Sequence, residues 1–431
     1  MGLNVDTTVP ADSPSARFNR ACLIAAFAIT LVWGCVYTWF ARDLLCDEAG
    51  HLAAVDHLAL GKPGLPETMP MMPGYHWTVV AIGLGSPTIA TARFTSTLFA
   101  LSGLAAFAIA WAALHRRPAG PATLLLALLP ILQPFNGMAY SDAAGAATLL
   151  WAACAQVTGH RLLAAMLFAV SAYVRQTNLI WVGFFFLWEL RDHLADLPRV
   201  RFRSLLVDAW QRCRWLALLT VIATGVVLWA GRLTPGTVHG NALQPNGATL
   251  HFAGWLFLLL VMPAILVNLD KVRSLGTSLR QRPVVLATLA GVSLAITLTL
   301  GITYQNPHIW NQVLTWDDVR FTLLRNSPLV ASDTYVALRY LSGALVVMAV
   351  WTFAWTFKTQ THQTALWLWA LFSFLLLATN GLVEPRYFIT PAVLLLLFLR
   401  LETKTTATLI GWFLLIDLLH APFILSGLSL W

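Results

Sequence analysis

Three polar clusters interrupt an otherwise apolar chain, and their residue types limit the chemistry it can do. The first reads Arg42-Asp43-Leu44-Leu45-Cys46-Asp47-Glu48-Ala49-Gly50-His51, just past an apolar run. It places two carboxylates at the depth where a lipid headgroup would meet a protein acid. Adjacent acids on a helix point about a third of a turn apart, so Asp47 and Glu48 need not share one role. The plain alternative is a pair of charges favoured by a helix N-terminus. The second cluster is Tyr173-Val174-Arg175-Gln176-Thr177-Asn178, set between two short apolar runs. A guanidinium at or below headgroup level is costly unless it faces a cavity, and its planar fork suits a phosphate. The alternative is an Arg175 that snorkels to the interface. The third is Glu384-Pro385-Arg386-Tyr387 at the mouth of another run, where a local ion pair is the simpler reading. Smaller signals are Tyr140-Ser141-Asp142, readable as a helix cap, His251 at the mouth of a span, and the acidic pair Asp317-Asp318 with Arg320.

The rest of the chain says what must position these groups. It has 431 residues, of which 58% are hydrophobic and 11% charged, against roughly 25% charged in a soluble domain. Mean hydropathy is +0.70. No soluble domain covers that much apolar surface, and a disordered chain has the opposite balance. The five cysteines form no CxxC pair, which excludes a disulfide framework or zinc cluster. The chain reads as an all-α, polytopic integral membrane protein.

Apolar runs lie near 21–40, 91–114, 121–133, 142–158, 162–174, 179–190, 215–231, 251–269, 283–303, 336–357, 364–380, 387–400 and 406–428, predicting about thirteen spans. Residues 1–20 form a tail and 21–431 a single transmembrane domain. With the N-terminus inside, most of the 27 Lys and Arg residues fall in loops on that side, including six arginines in 191–214. The net charge of +8 then needs no nucleic-acid partner. The opposite, exoplasmic face carries longer segments, near 41–75, 232–250 and 304–335, where chemistry is expected. In the first of these, Leu52, Val55 and Leu58 share one face of an interfacial helix, with His51 nearer the other.

At this point the residues resemble a known family. Arg175-Gln176-Thr177-Asn178-Leu179-Ile180-Trp181 is similar to the RQTN-(I/V)-(I/V)-W segment of the endoplasmic-reticulum α-1,2-glucosyltransferases that add the last glucose to the dolichol-linked oligosaccharide. Cys46-Asp47-Glu48 with His51 resembles that family's M-D-E-x-x-H segment, and Pro70–Tyr75 its T-P-P-G-L-Y run. Tyr140–Gly145 resembles Y-T-(D/E)-x-G-S, Thr249–Phe252 resembles L-H-F-P-Q, and Leu382–Pro391 resembles L-L-E-F-R-Y-F-I-x-P. Two segments depart: Gly240-Asn241 stands in place of G-D-(K/R), and Asp317–Phe321 is a remnant of a longer acidic and aromatic stretch.

The resemblance implies a GT-C glycosyltransferase fold and an inverting transfer of a hexose from a polyprenyl-phosphate sugar donor to an exoplasmic glycan or lipid-linked acceptor. Such a reaction needs a base for the incoming hydroxyl and cations for the departing phosphate. Asp47 is then the base, with Glu48 and His51 placing the acceptor or supporting it, Glu48 counting with Asp47 as catalytic, and Arg175 and Arg386 the phosphate clamps. Tyr75, Asp142, Gln176, Asn178, His251, Glu384 and Tyr387 complete the expected substrate contacts. No metal or other cofactor is expected. The compact, Ala/Leu/Trp-rich chain suggests a bacterial inner membrane, or the endoplasmic reticulum if the source is eukaryotic. A lipid-linked sugar flippase is the competing class; it would favour internal repeats and midplane polar groups, which the sequence lacks.

Overall fold

The computed structural model describes residues 13–41, 44, 47–62, 64–66, 69, 71–191, 202–230, 247–307, 309–312, 323–378 and 382–425, and all its regular elements among these are helical. Six of the described helices are long and apolar enough to cross a membrane: Pro14–Phe40, Ile89–His115, Gly247–Val267, Pro283–Thr303, Val336–Lys358 and Thr403–Pro422. Shorter apolar helices cover Arg161–Val174, Gln363–Ala378 and Pro385–Phe398. The chain is a polytopic integral membrane protein. Its helices form two compact units: residues 1–242, 364–372 and 389–400, and residues 243–363, 373–388 and 401–431.

The first unit holds α1 (Pro14–Phe40), α2 (Glu48–Ala59), α3 (Gly74–Ile82), α4 (Ile89–His115), α5 (Gly120–Ala127), α6 (Ser141–Val157), α7 (Arg161–Val174), α8 (Leu179–Glu189) and α9 (Phe202–Ala230). Ser13 caps α1 by accepting the Ala16 N–H at 3.2 Å, and Pro14 fills a first-turn position that needs no donor. Thr88 and Thr91 cap α4 reciprocally. Helices α4 and α6 run side by side at very close range. A Cβ on Gly103 would lie 3.1 Å from the Ala147 Cα, so small residues rather than bulk allow the approach. The run expected as a short span at 121–133 is different: α5 ends at Ala127, and a buried non-helical stretch with a 3-10 turn at Gln133–Asn136 follows. Pro130 and Pro134 deny that stretch helical donors, and its burial in protein keeps the bare backbone from lipid.

The second unit contains α10 (Gly247–Val267), α11 (Leu269–Arg280), α12 (Pro283–Thr303), α13 (Ile309–Gln312), α14 (Leu323–Thr334), α15 (Val336–Lys358) and α18 (Thr403–Leu425). Between α15 and α18 come α16 (Gln363–Ala378) and α17 (Ile389–Phe398), which belong wholly or mostly to the first unit. Gly254 of α10 and Gly343 of α15 sit against neighbouring backbone, and Trp412 of α18 donates to the Leu259 carbonyl at 2.7 Å. Helix α12 is apolar almost all round, and among its residues only Gly301 is buried. That pattern suits a helix whose solvent is lipid.

Candidate active site

The acidic cluster is built on the start of α2. Its buried face is Glu48, His51, Ala54, Val55 and Leu58, a three-four-three spacing. His51 therefore lies on the inward face with Val55 and Leu58, rather than on the opposite side from them. The helix also begins one residue after Asp47 rather than at Leu52. Asp47 occupies the N-cap position and is exposed, and its side chain accepts no capping bond from the first turn. Its backbone N–H donates to the Tyr140 hydroxyl at 2.7 Å, and its carbonyl accepts the His51 N–H at 3.1 Å.

Glu48 points the other way. It is 0% exposed and receives Arg93 of α4 in a two-pronged pair, with Nε donating to Oε1 at 3.0 Å and Nη2 to Oε2 at 2.5 Å. Oε1 also accepts the Ala139 N–H at 2.7 Å. The Glu48 carboxylate faces protein, so its part in the site is played from beside Asp47 through Arg93 and the Ala139 N–H. Arg93 was absent from the residues singled out in the sequence. Its signal was there, since it is the only Lys, Arg, Asp or Glu in the whole of α4.

Behind the acids, His51 Nδ1 and His76 Nε2 lie 3.0 Å apart with their rings stacked at 5.2 Å, and Tyr140 packs on His51 at 4.9 Å. Burial pushes the His76 imidazole down to about 4. Tyr75 is completely buried among Val55, Val79, Ala92 and Ala144, and its hydroxyl donates to the Ala92 carbonyl at 3.1 Å beside Ser96 Oγ at 2.9 Å. Burial raises that hydroxyl far above the usual phenol range. Tyr75 fastens α3 to α4 through these contacts.

The second cluster closes on α6. Arg175 caps α7 and pairs with Asp142 in the first turn of α6. Asp142 is 2% exposed, and its Oδ2 has no hydrogen-bond partner among the described residues. Asn178, expected as a ligand contact, is buried, and its Nδ2 donates at 2.9 Å to both the Gly145 carbonyl and Ser171 Oγ. Gly145 lets the guanidinium stem pass, since a Cβ there would meet Arg175 Cδ at 2.9 Å. Gln176 Oε1 accepts the Met72 N–H at 3.3 Å, tying the Pro-rich loop to this turn. Two ion pairs of the first unit, Glu48 with Arg93 and Asp142 with Arg175, are linked through residues 139–142 and with Asp47 make up its charged layer.

In the second unit, His251 is buried, with Nδ1 2.5 Å from Ser342 Oγ and Nε2 3.2 Å from the Leu300 carbonyl, and it meets Tyr304 edge-on at 4.7 Å. Both ring nitrogens are engaged, so it braces α10 against α12 and α15. Arg386 pairs with Glu384 across a 3-10 turn and lies 5.9 Å over the Tyr387 ring. Asp317, Asp318 and Arg320 lie outside the described residues. Among the described residues, no group of three or more His, Cys, Asp or Glu side chains is placed to hold a metal ion.

The DIE2/ALG10 family model matches residues 68–204, the stretch holding Tyr75, Arg93, Asp142 and Arg175–Asn178. A Dol-P-Glc:Glc(2)Man(9)GlcNAc(2)-PP-Dol alpha-1,2-glucosyltransferase of Homo sapiens is 23% identical over 447 residues, covering 88% of this chain and 89% of its own length. The Mus musculus protein of that name is 23% identical over 435 residues, covering 88% of each. No solved structure matches the chain. The chain is a membrane glycosyltransferase, similar along most of its length to these α-1,2-glucosyltransferases.

Proposed function

We propose that the chain transfers a hexose, glucose by its likeness to the relatives, from a polyprenyl-phosphate donor to a glycan hydroxyl on a lipid-linked acceptor. The relatives' names give Dol-P-Glc as donor and a Glc(2)Man(9)GlcNAc(2)-PP-Dol as acceptor. The acceptor oxygen bonds to the anomeric carbon as the bond from that carbon to the phosphate oxygen breaks. The electron pair leaves with the polyprenyl phosphate, and the acceptor's proton passes to Asp47. The sugar inverts. Arg175, oriented by buried Asp142, neutralises the departing phosphate.

The observation that carries this reading is the division of labour in the acidic pair: Glu48 is sealed against Arg93, while Asp47 stands exposed at the helix head. Around this core the proposal keeps about thirteen spans, a cytoplasmic N-terminus and an exoplasmic site. The host is a bacterial inner membrane, or the endoplasmic reticulum in a eukaryote. The test is transfer of radiolabelled hexose from polyprenyl phosphate to lipid-linked oligosaccharide by purified protein in liposomes. The expected product has the anomer opposite to the donor's, read by linkage-specific glycosidase digestion. Donor movement across the bilayer without product would instead identify a flippase.

A further inference from the structure

We infer that Arg93 is a positioning residue for Asp47, tying the head of α2, where Asp47 sits, to the end of α1. The inference rests on the reading of Asp47 as base. Arg93 is 1% exposed, one turn into α4, and its guanidinium reaches three other parts of the chain. Nη1 donates to the Tyr37 carbonyl in the last turn of α1 at 3.1 Å and also to the Ala41 carbonyl just beyond it. Nε and Nη2 take both oxygens of Glu48. Ala41 follows the last residue of α1 and Glu48 opens α2, so one rigid fork sets the distance and angle between the end of α1 and the head of α2. The third restraint comes from the Ala139 N–H on Glu48 and the Tyr140 hydroxyl on the Asp47 N–H. Packing alone would hold the helices together, but only a directional, two-pronged pair fixes how α2 is rotated. That rotation decides which of the adjacent acids faces out. An apolar pair at positions 48 and 93 would fill the same space and leave it undetermined.

The experiment is a cycle of Arg93→Lys and Asp47→Asn, read as kcat and donor KM in liposomes, with thermal unfolding as the check on folding. Lysine keeps the charge and loses the fork. Arg93→Lys is expected to lower kcat on the order of 10–100-fold, the effect of a misplaced base, with donor KM changed less than about twofold. In the Asp47→Asn background it should cause no further loss, because the group it positions has already been removed. An additive loss there, or a wild-type kcat for Arg93→Lys beside an inactive Asp47→Asn, overturns the inference and leaves the base reading standing. An Asp47→Asn enzyme with wild-type turnover removes the base, and this inference with it. Should Arg93→Lys not accumulate, Glu48→Gln with Arg93→Gln drops the buried charges, keeps a hydrogen bond, and is read through the same cycle.

Discussion

The proposed donor site rests on Arg175. Asp142 holds its guanidinium through one oxygen, and the other oxygen has no hydrogen-bond partner among the described residues; on the proposed reading the phosphate meets the remaining donors of the fork. Arg175→Ala is expected to weaken donor binding by roughly 1.5–3 kcal/mol, the scale of a charged hydrogen bond, and Arg175→Lys by less. Donor titration of the purified variants measures this, and an unchanged affinity in Arg175→Ala removes the residue from the site. The same two substitutions at Arg386 test the role its sequence implies. His76 gives a pH signature. Its imidazole sits at about 4 instead of 6.5, so burial stabilises the neutral form. That contribution is complete above pH 6.5 and is lost as pH falls toward 4. Thermal stability should therefore drop across that window, and His76→Asn should flatten the drop; an equal slope in both proteins contradicts the assignment. Arg175 and Asn178 were legible in the sequence because polar residues stand out between apolar runs. Arg93 was marked only as a lone charge in an apolar run and His76 not at all, since their partners lie 45 and 25 residues away and only the fold unites them.

At the scale of elements, the site depends on how closely α6 admits the turn between α7 and α8. Gly145 is the contact point, and a methyl there would press on the Arg175 stem at 2.9 Å and 3.0 Å. Gly145→Ala should cost about 1–3 kcal/mol in stability and weaken donor binding together with it, because the guanidinium must shift. Unfolding and donor titration on one preparation check both, and a stable Gly145→Ala protein with wild-type affinity contradicts the packing account. Helix α2 was legible as an amphipathic stretch from Leu52, Val55 and Leu58. Its inward polar half was not, because Glu48 and His51 look like surface residues until Arg93 and His76 are placed against them. Likewise, apolarity alone read 121–133 as a span, whereas two prolines and burial in protein made it a short helix and an irregular return.

For the whole molecule, length and hydropathy made the membrane class readable, since long apolar stretches have few other uses. The proposed orientation rests on the arginines of the loops. A reporter fused after residue 205 should be cytoplasmic and one after residue 325 exoplasmic; the reverse result at 205 would invert the proposed topology and put the charged layer on the wrong face. What hydropathy could not reveal is which of two adjacent acids is exposed at the head of α2 and which is sealed inside, and the mechanism turns on that distinction. The measurement that bears on it most directly is turnover of Asp47→Asn in liposomes with donor binding measured alongside. A positioned base contributes on the order of 10²–10⁴-fold, so the variant should fold, bind donor lipid as the wild type does, and lose at least about a hundredfold in rate. An Asp47→Asn enzyme with near-normal turnover would contradict the account.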